Sequence, residues 1–375
     1  MVRIFFPILF VIITCFPSTI MSQYRVTIIL DSLPDAQSVS IHPVFIAGSF
    51  NQWNPGSDKM QMIQNNTPSI VLTLSEGKQV FKFTRGSWDE VETNKDGSDR
   101  PNREITISGD TVLHCLVYAW KTKGSPRPTT ANRHVKILDT AFYMPQLKRT
   151  RRIWIYLPEG YGQLKKTYPV IYMHDGQNVF DQSTSFAGEW GVDEAMDTLA
   201  RTVPAIIVAI DNGGQHRMQE YNCIDHTQFG KAEGKKYLAF IALTLKPYID
   251  AHYNTRRDVA NTIIAGSSMG GLISFYALTA FPNIFGKAGI FSPSFWALDE
   301  KKNPTYINGV KNKKIFFYYG GKETNQIRLP TERIVAAVKK LSKNKVTLTT
   351  DPEGQHNEAS WRKAFPVFYR EIMKN

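Results

Sequence analysis

Over the first third of the chain, apolar and polar residues alternate in short runs, at 24–30, 44–46, 69–74, 80–83, 104–107 and 111–118. Turn-forming residues separate the runs, as in Asn54-Pro55-Gly56, Glu76-Gly77, Gly97 and Gly109-Asp110. Alternation of period two between closely spaced turns predicts an all-β sandwich of immunoglobulin-like build over 23–120. The proline, glycine and charge of 121–133 mark a linker. Beyond it the pattern changes to strand-length apolar runs at 135–142, 152–157, 169–173, 205–210, 262–265, 288–291, 314–319 and 346–350. Helical spacing fills the intervals at 192–201, 235–251, 272–280, 331–342 and 358–373, with Pro366 as a kink. Eight strands alternating with helices, without an internal repeat, predict a three-layer α/β unit over 134–375. Ligands in such sheets bind beyond the carboxyl ends of the strands, so candidate chemistry is sought there.

Residues 1–22 read as a signal peptide: Arg3 supplies the positive start, and the apolar run 4–16 is too short to span a bilayer. Export to the periplasm or the outside is expected, with lipidation at Cys15 the less favoured variant. With 375 residues the chain has room for two domains, and 42% hydrophobic with 21% charged residues describes a globular protein. The net charge of +12 is scattered, with no basic stripe interleaved with aromatics, so nucleic acid is not the expected partner. No later run is long enough for a membrane span. Of the three cysteines only Cys115 and Cys223 lie beyond the leader, in different predicted domains, and two unlinked thiols are expected.

The chemistry centres on 261–272, Asn-Thr-Ile-Ile-Ala-Gly-Ser-Ser-Met-Gly-Gly-Leu. Gly266-Ser267-Ser268-Met269-Gly270 fits the G-x-S-x-G nucleophile elbow, with an apolar strand before it and an apolar helix after. Glycine two residues to either side of Ser268 lets strand and helix pass without a Cβ clash. A serine nucleophile needs a base oriented by an acid, in the α/β-hydrolase order serine, acid, histidine. Of eight histidines only His356 follows Ser268, in a loop after a predicted strand. Glu323, just past the carboxyl end of the strand 314–319, is the favoured acid. Asp351, Asp299 and Glu300 are the other carboxylates at strand ends. Met269 N–H and Gln177 N–H, the latter in the loop after the third strand, are the expected oxyanion donors. His174-Asp175 has no further ligand at a useful spacing, so neither a metal nor a cofactor is expected.

Five motifs in order carry a family resemblance: Tyr172-Met173-His174-Asp175-Gly176-Gln177-Asn178, Arg217-Met218-Gln219-Glu220-Tyr221, 266–271, Phe291-Ser292-Pro293-Ser294-Phe295-Trp296 and His356-Asn357-Glu358-Ala359-Ser360-Trp361. Over 134–375 the chain resembles the esterase D–like putative esterases, which include feruloyl and acetyl-xylan esterases, siderophore esterases and mycolyltransferases. The resemblance implies an α/β-hydrolase fold without a large lid. It also implies a triad of Ser268, Glu323 and His356, with Gln177 and Met269 as oxyanion donors. Many members carry aspartate where Glu323 stands. Trp190, Arg217, Glu220, Tyr221, Trp296 and Trp361 fall within or near these motifs and are candidates to line an acyl or sugar pocket.

The first domain resembles a starch-binding-type carbohydrate-binding module. The likeness rests on Ala47-Gly48-Ser49-Phe50-Asn51-Gln52-Trp53-Asn54, Phe81-Lys82-Phe83-Thr84-Arg85-Gly86-Ser87-Trp88 and Pro101-Asn102-Arg103. It implies that Trp53 and Trp88 stack on sugar faces while Lys82 meets hydroxyls. The acidic stretch 89–99 departs from the module's pattern. The expected function is a secreted serine esterase that removes acetyl or feruloyl groups from polysaccharide. A siderophore esterase, an acyltransferase and a glycan-binding protein with a dormant hydrolase domain are the competing readings.

Overall fold

A computed structural model describes residues 22–374 except 35–41, 52, 64–66, 98–99, 122–128, 164–165, 186–187, 228, 299–309 and 342–343. The expected leader with Cys15, most of the linker, and Asp299 with Glu300 lie outside these residues. The chain divides into two compact units, 1–124 and 125–375.

In the first unit, two four-stranded sheets share one core. One holds Gln61–Ile63, Thr67–Ser75, Gln23–Ser32 and Thr111–Leu116; the other holds Asp58–Lys59, Phe45–Gly48, Gly77–Thr84 and Arg103–Ile107. Alternate residues of both meet inside: Val26, Ile28 and Leu30 from one face pack with Ile46, Phe81, Phe83 and Ile107 from the other. The sandwich follows from that alternation, since every second side chain of a strand points to the same face.

The second unit is built on one eight-stranded sheet. Its strands are β1 (Val135–Met144), β2 (Arg149–Tyr156), β3 (Val170–His174), β4 (Ile206–Ile210), β5 (Thr262–Ser267), β6 (Lys287–Phe291), β7 (Lys314–Gly320) and β8 (Lys345–Asp351). They pair in the order β1-β2-β4-β3-β5-β6-β7-β8, antiparallel up to the β2–β4 pair and parallel from β4 onward. The central strands are buried along their whole length, which is why they read as unbroken apolar runs.

Side chains alternate across this sheet between two cores. Ile171, Met173, Ile207, Ala209, Ile263 and Ala265 pack with helices Val192–Leu199 and Glu358–Met373. Val170, Tyr172, Ile206, Val208, Ile210 and Ile264 pack with helices Gly234–Phe240, Met269–Ala280 and Asn325–Lys340. Three layers result. The helix expected at 235–251 runs from Gly234 to His252 through a π-helical turn at Ile241–Leu245. The helix expected at 331–342 begins earlier, at Asn325, and carries Pro330 inside it. No helix among the described residues is long and apolar enough to cross a membrane. Cys115 and Cys223 are both free thiols.

Candidate active site

Three parallel strands end in a residue with left-handed backbone that is not glycine: Asp175 after β3 (φ 55°), Ser268 after β5 (φ 57°) and Ser292 after β6 (φ 43°). Such conformations cost on the order of 1–3 kcal/mol each and persist only where surrounding structure enforces them. Enforcement at Ser268 is visible. Its N–H donates to Phe291 O (2.9 Å), and its carbonyl accepts from Leu272 N (3.1 Å) and Ser294 N (3.0 Å). A Cβ on Gly266 would lie 2.9 Å from Gly270 C, so strand and helix touch backbone to backbone there. Ser268 is thereby lifted out of β5 at the N-terminus of helix Met269–Ala280, whose first N–H, that of Met269, has no intrahelical acceptor.

Glu323 and His356 meet. His356 Nδ1 lies 2.8 Å from Glu323 Oε2. The other oxygen of Glu323 accepts from Ser292 Oγ (2.6 Å) and from Gly320 N (2.8 Å). The Glu323 side chain is fully buried, whereas that of His356 is 32% exposed. Loop pairing sets this geometry, because Gly321 N donates to Asp351 O (2.7 Å) and Lys322 N to Gly354 O (3.0 Å). Asp351, the alternative acid, instead accepts from Glu353 N in its own turn (3.0 Å).

Ser268 Oγ lies 3.2 Å from Ser294 Oγ. The serine hydroxyl is therefore partnered by Ser294 and not by His356. The segment Ser292-Pro293-Ser294 links the two sides of the site. Ser292 Oγ accepts from Trp361 Nε1 (2.8 Å) while it donates to Glu323, and Trp361 stands edge-on to His356 with centroids 5.2 Å apart. Ser292 and Ser294 stand in the fourth of the five sequence motifs but were given no role there. The signal that existed for them was two hydroxyls bracketing a proline directly after a buried strand.

The loop after β3 is held by side chains. Gln177 Oε1 accepts from Asn212 N (3.1 Å) and Gln177 O from Thr184 Oγ1 (2.7 Å). The N–H of Gln177 has no acceptor among the described residues.

Five of the expected pocket residues are corrected. Glu220 and Tyr221 expose no surface and Trp190 exposes 3%, so none presents a face to a ligand. Glu220 is consumed by Arg151 (2.7 and 2.8 Å) and Arg149 (2.9 Å). Tyr221 Oη accepts from Asp175 N (3.1 Å). Trp190 packs on Phe291 and Trp361, at 4.9 and 5.6 Å between centroids. Arg217 spends its guanidinium on Asp175, with Nε 2.7 Å from Oδ1 and Nη2 2.9 Å from Oδ2. Trp361 is likewise buried and acts as a prop. Trp296 is half-buried two residues past Ser294, edge-on to Phe229 and His226.

His174 and Asp175 belong to the same buried support. Burial, with Arg217 nearby, pushes the His174 imidazole down to about 3, and its Nδ1 lies 3.0 Å from Tyr237 Oη. Burial works to raise the Asp175 carboxyl, but Arg217 and the Asn212 amide hold it below the usual range.

In the first unit Trp53 and Trp88 are partly exposed and pair with ring centroids 6.2 Å apart and planes at 39°. Lys82 departs from expectation. It is 5% exposed and already engaged within the protein, so it does not offer its ammonium to a sugar.

The family model described as "Putative esterase" matches residues 145–372. The chain belongs to the putative esterase family. An endo-1,4-beta-xylanase/feruloyl esterase of Xylanibacter ruminicola is 27% identical over 215 residues, 54% of this chain and 27% of that protein. An amylopullulanase of Thermoanaerobacterium thermosulfurigenes is 39% identical over 99 residues, 24% of this chain and 5% of that protein. This putative esterase thus spans a minor part of the length of both relatives. Among solved structures, an enterobactin esterase of Shigella flexneri superposes with a TM-score of 0.53 at 17% identity, covering 88% of this chain and 87% of the other. At that identity the likeness is one of fold, and the fold is α/β-hydrolase-like.

Proposed function

We propose that this putative esterase is an exported serine carboxylic-ester hydrolase that removes acetyl or feruloyl groups from polysaccharide. The observation that carries the reading is the Glu323–His356 hydrogen bond, joined through the segment 292–294 to a serine held at φ 57°. Glu323 fixes the Nδ1 side of the imidazole, which leaves Nε2 to act as base. Ser268 turns from Ser294 toward Nε2, loses its proton there and attacks the ester carbonyl. The oxyanion rests against the N–H groups of Met269 and Gln177, donors worth about 3 kcal/mol each in such reactions. The alcohol leaves with the proton from His356, and water activated by the same nitrogen then releases the acid.

The matches to a feruloyl esterase and to an amylopullulanase support a glycan-linked ester as substrate, with the Trp53–Trp88 pair as its sugar platform. The test is a panel of p-nitrophenyl acetate, methyl ferulate, acetylated xylan and a catecholate triester, run on the protein and on Ser268→Ala. A loss of at least about 10³-fold in kcat/KM is expected for the variant. Preference for the triester would move the reading to a siderophore esterase. An ester product on an added sugar acceptor would move it to an acyltransferase. Activity unchanged in Ser268→Ala, or none in the parent, would end it.

A further inference from the structure

Outside this site, three carboxylates converge at the start of helix Val192–Leu199. Oxygens of Glu189, Asp193 and Glu194 all lie within 4.8 Å of one another. Asp193 exposes 0% of its surface and Glu189 8%. Part of this charge is answered: Arg362 reaches Glu189 at 3.6 Å and Glu194 at 3.3 Å. Thr130 Oγ1 donates to Glu189 (2.9 Å), and Asn132 N donates to Asp193 Oδ2 (2.8 Å). Asp193 Oδ1 and Glu194 Oε2 are buried yet meet no donor among the described residues. Acids in a first helical turn are ordinary, because they oppose the helix dipole. That does not account for a carboxylate oxygen sealed from water and set against a second carboxylate, which is costly unless something positive lies between them.

We propose that Glu189, Asp193 and Glu194 bind one divalent cation of the calcium class. Two oxygens on one calcium ion, each at about 2.3–2.6 Å, are at most about 5 Å apart, and the cluster falls inside that span. The ligand set is carboxylate oxygen alone, which suits a hard ion and gives no hold to a thiophilic one. Three carboxylates against the Arg362 guanidinium leave two negative charges, which one such ion balances. The ion would join Glu189 and the helix start to Thr130 and Asn132, which are bound to the same carboxylates. Trp190, next to Glu189, packs on Trp361, which in turn flanks His356. The ion therefore braces the back of the imidazole's wall without touching the reacting atoms.

The test uses the full chain stripped with EDTA. Added Ca2+ is expected to raise the thermal midpoint by a few degrees, saturably, with Mg2+ weaker and NaCl at matched ionic strength without effect. Terbium is expected to emit on tryptophan excitation, with Trp190 next to the site as donor, and to be displaced by Ca2+. Asp193→Asn and the milder Glu194→Gln should each lose the emission and the calcium shift. The competing occupant is a single shared proton. A midpoint that varies with pH but ignores Ca2+, or terbium emission unchanged in both variants, would overturn the proposal.

Discussion

At the carboxyl end of the sheet, two buried carboxylates each hold a nitrogen group, and they do opposite work. Asp175 takes both ends of the Arg217 guanidinium, a third donor from Asn212 (2.7 Å) and the face of a tyrosine beneath, since Arg217 lies 5.1 Å from the Tyr221 ring centroid. Glu323 takes one nitrogen of His356 and leaves the imidazole 32% exposed. The first cluster is closed: both oxygens of Asp175 are bonded, and its titrating neighbour His174 is held neutral by burial. The second is open on the one side where the proposed mechanism moves a proton. A carboxylate–nitrogen pair becomes reactive by being left incomplete, so one cluster should govern stability and the other activity.

Glu323→Gln should give the largest effect. The amide oxygen can keep the bonds from Ser292 and Gly320, while its NH2 group then faces His356 Nδ1. That turns Nδ1 into an acceptor, places the ring proton on Nε2 and removes the base. A fall of about 10³–10⁴-fold in kcat/KM is expected, as when a triad carboxylate is replaced by its amide. The denaturation midpoint should stay near that of the parent. A loss under tenfold would remove Glu323 from the chemistry.

Arg217→Met tests the other half of the contrast. It leaves Asp175 buried without its counter-charge, and breaking such a pair costs about 3–5 kcal/mol. Urea unfolding should show that loss, while kcat/KM per folded molecule changes far less than in Glu323→Gln. Equal damage to both quantities would mean that the two clusters are one.

His174 gives a third, pH-dependent separation. Its folded value of about 3 lies below the ordinary 6.5. Below about pH 6.5 the unfolded chain takes up a proton that the folded protein refuses. The contribution is therefore whole above 6.5 and drains as pH falls toward 3, by an amount of order a few kcal/mol. Between pH 7 and 5 the urea midpoint should fall in the parent and stay flatter in His174→Gln. Identical slopes would place the acid sensitivity elsewhere.

The two clusters also differ in how legible they were. The strands were plain, because central parallel strands are apolar on both faces and leave long unbroken runs. Ser268 and His356 were chosen as candidates by motif and chain order, and Glu323 by its place past β7, all read directly off the sequence. The closed cluster was misread as pocket lining. Nothing near Glu220 in sequence says that Arg149 and Arg151, about seventy positions earlier, will neutralise it. Burial of Tyr221 and Trp190 is similarly a result of distant packing. Helix Asn325–Lys340 starts before the expected 331, with Thr324 at its N-cap and Pro330 inside it. The left-handed backbone at Asp175 and Ser292 had no glycine to announce it.

The smallest expected effect concerns the side-chain contact that crosses from Ser294 to the proposed nucleophile. Ser268 Oγ meets Ser294 Oγ at 3.2 Å, whereas the proposed attack requires the serine proton to face His356. Ser294 is 2% exposed, so its hydroxyl competes inside the protein and not against water. A hydrogen bond between neutral groups is worth about 0.5–1.5 kcal/mol net, which caps the effect of removing it at roughly tenfold. Ser294→Ala should therefore raise the acylation rate by a few fold in a p-nitrophenyl acetate burst, with the thermal midpoint little changed. A hundredfold fall would show that the Ser294 hydroxyl takes part in the reaction, and the open side of the site would then include the segment 292–294.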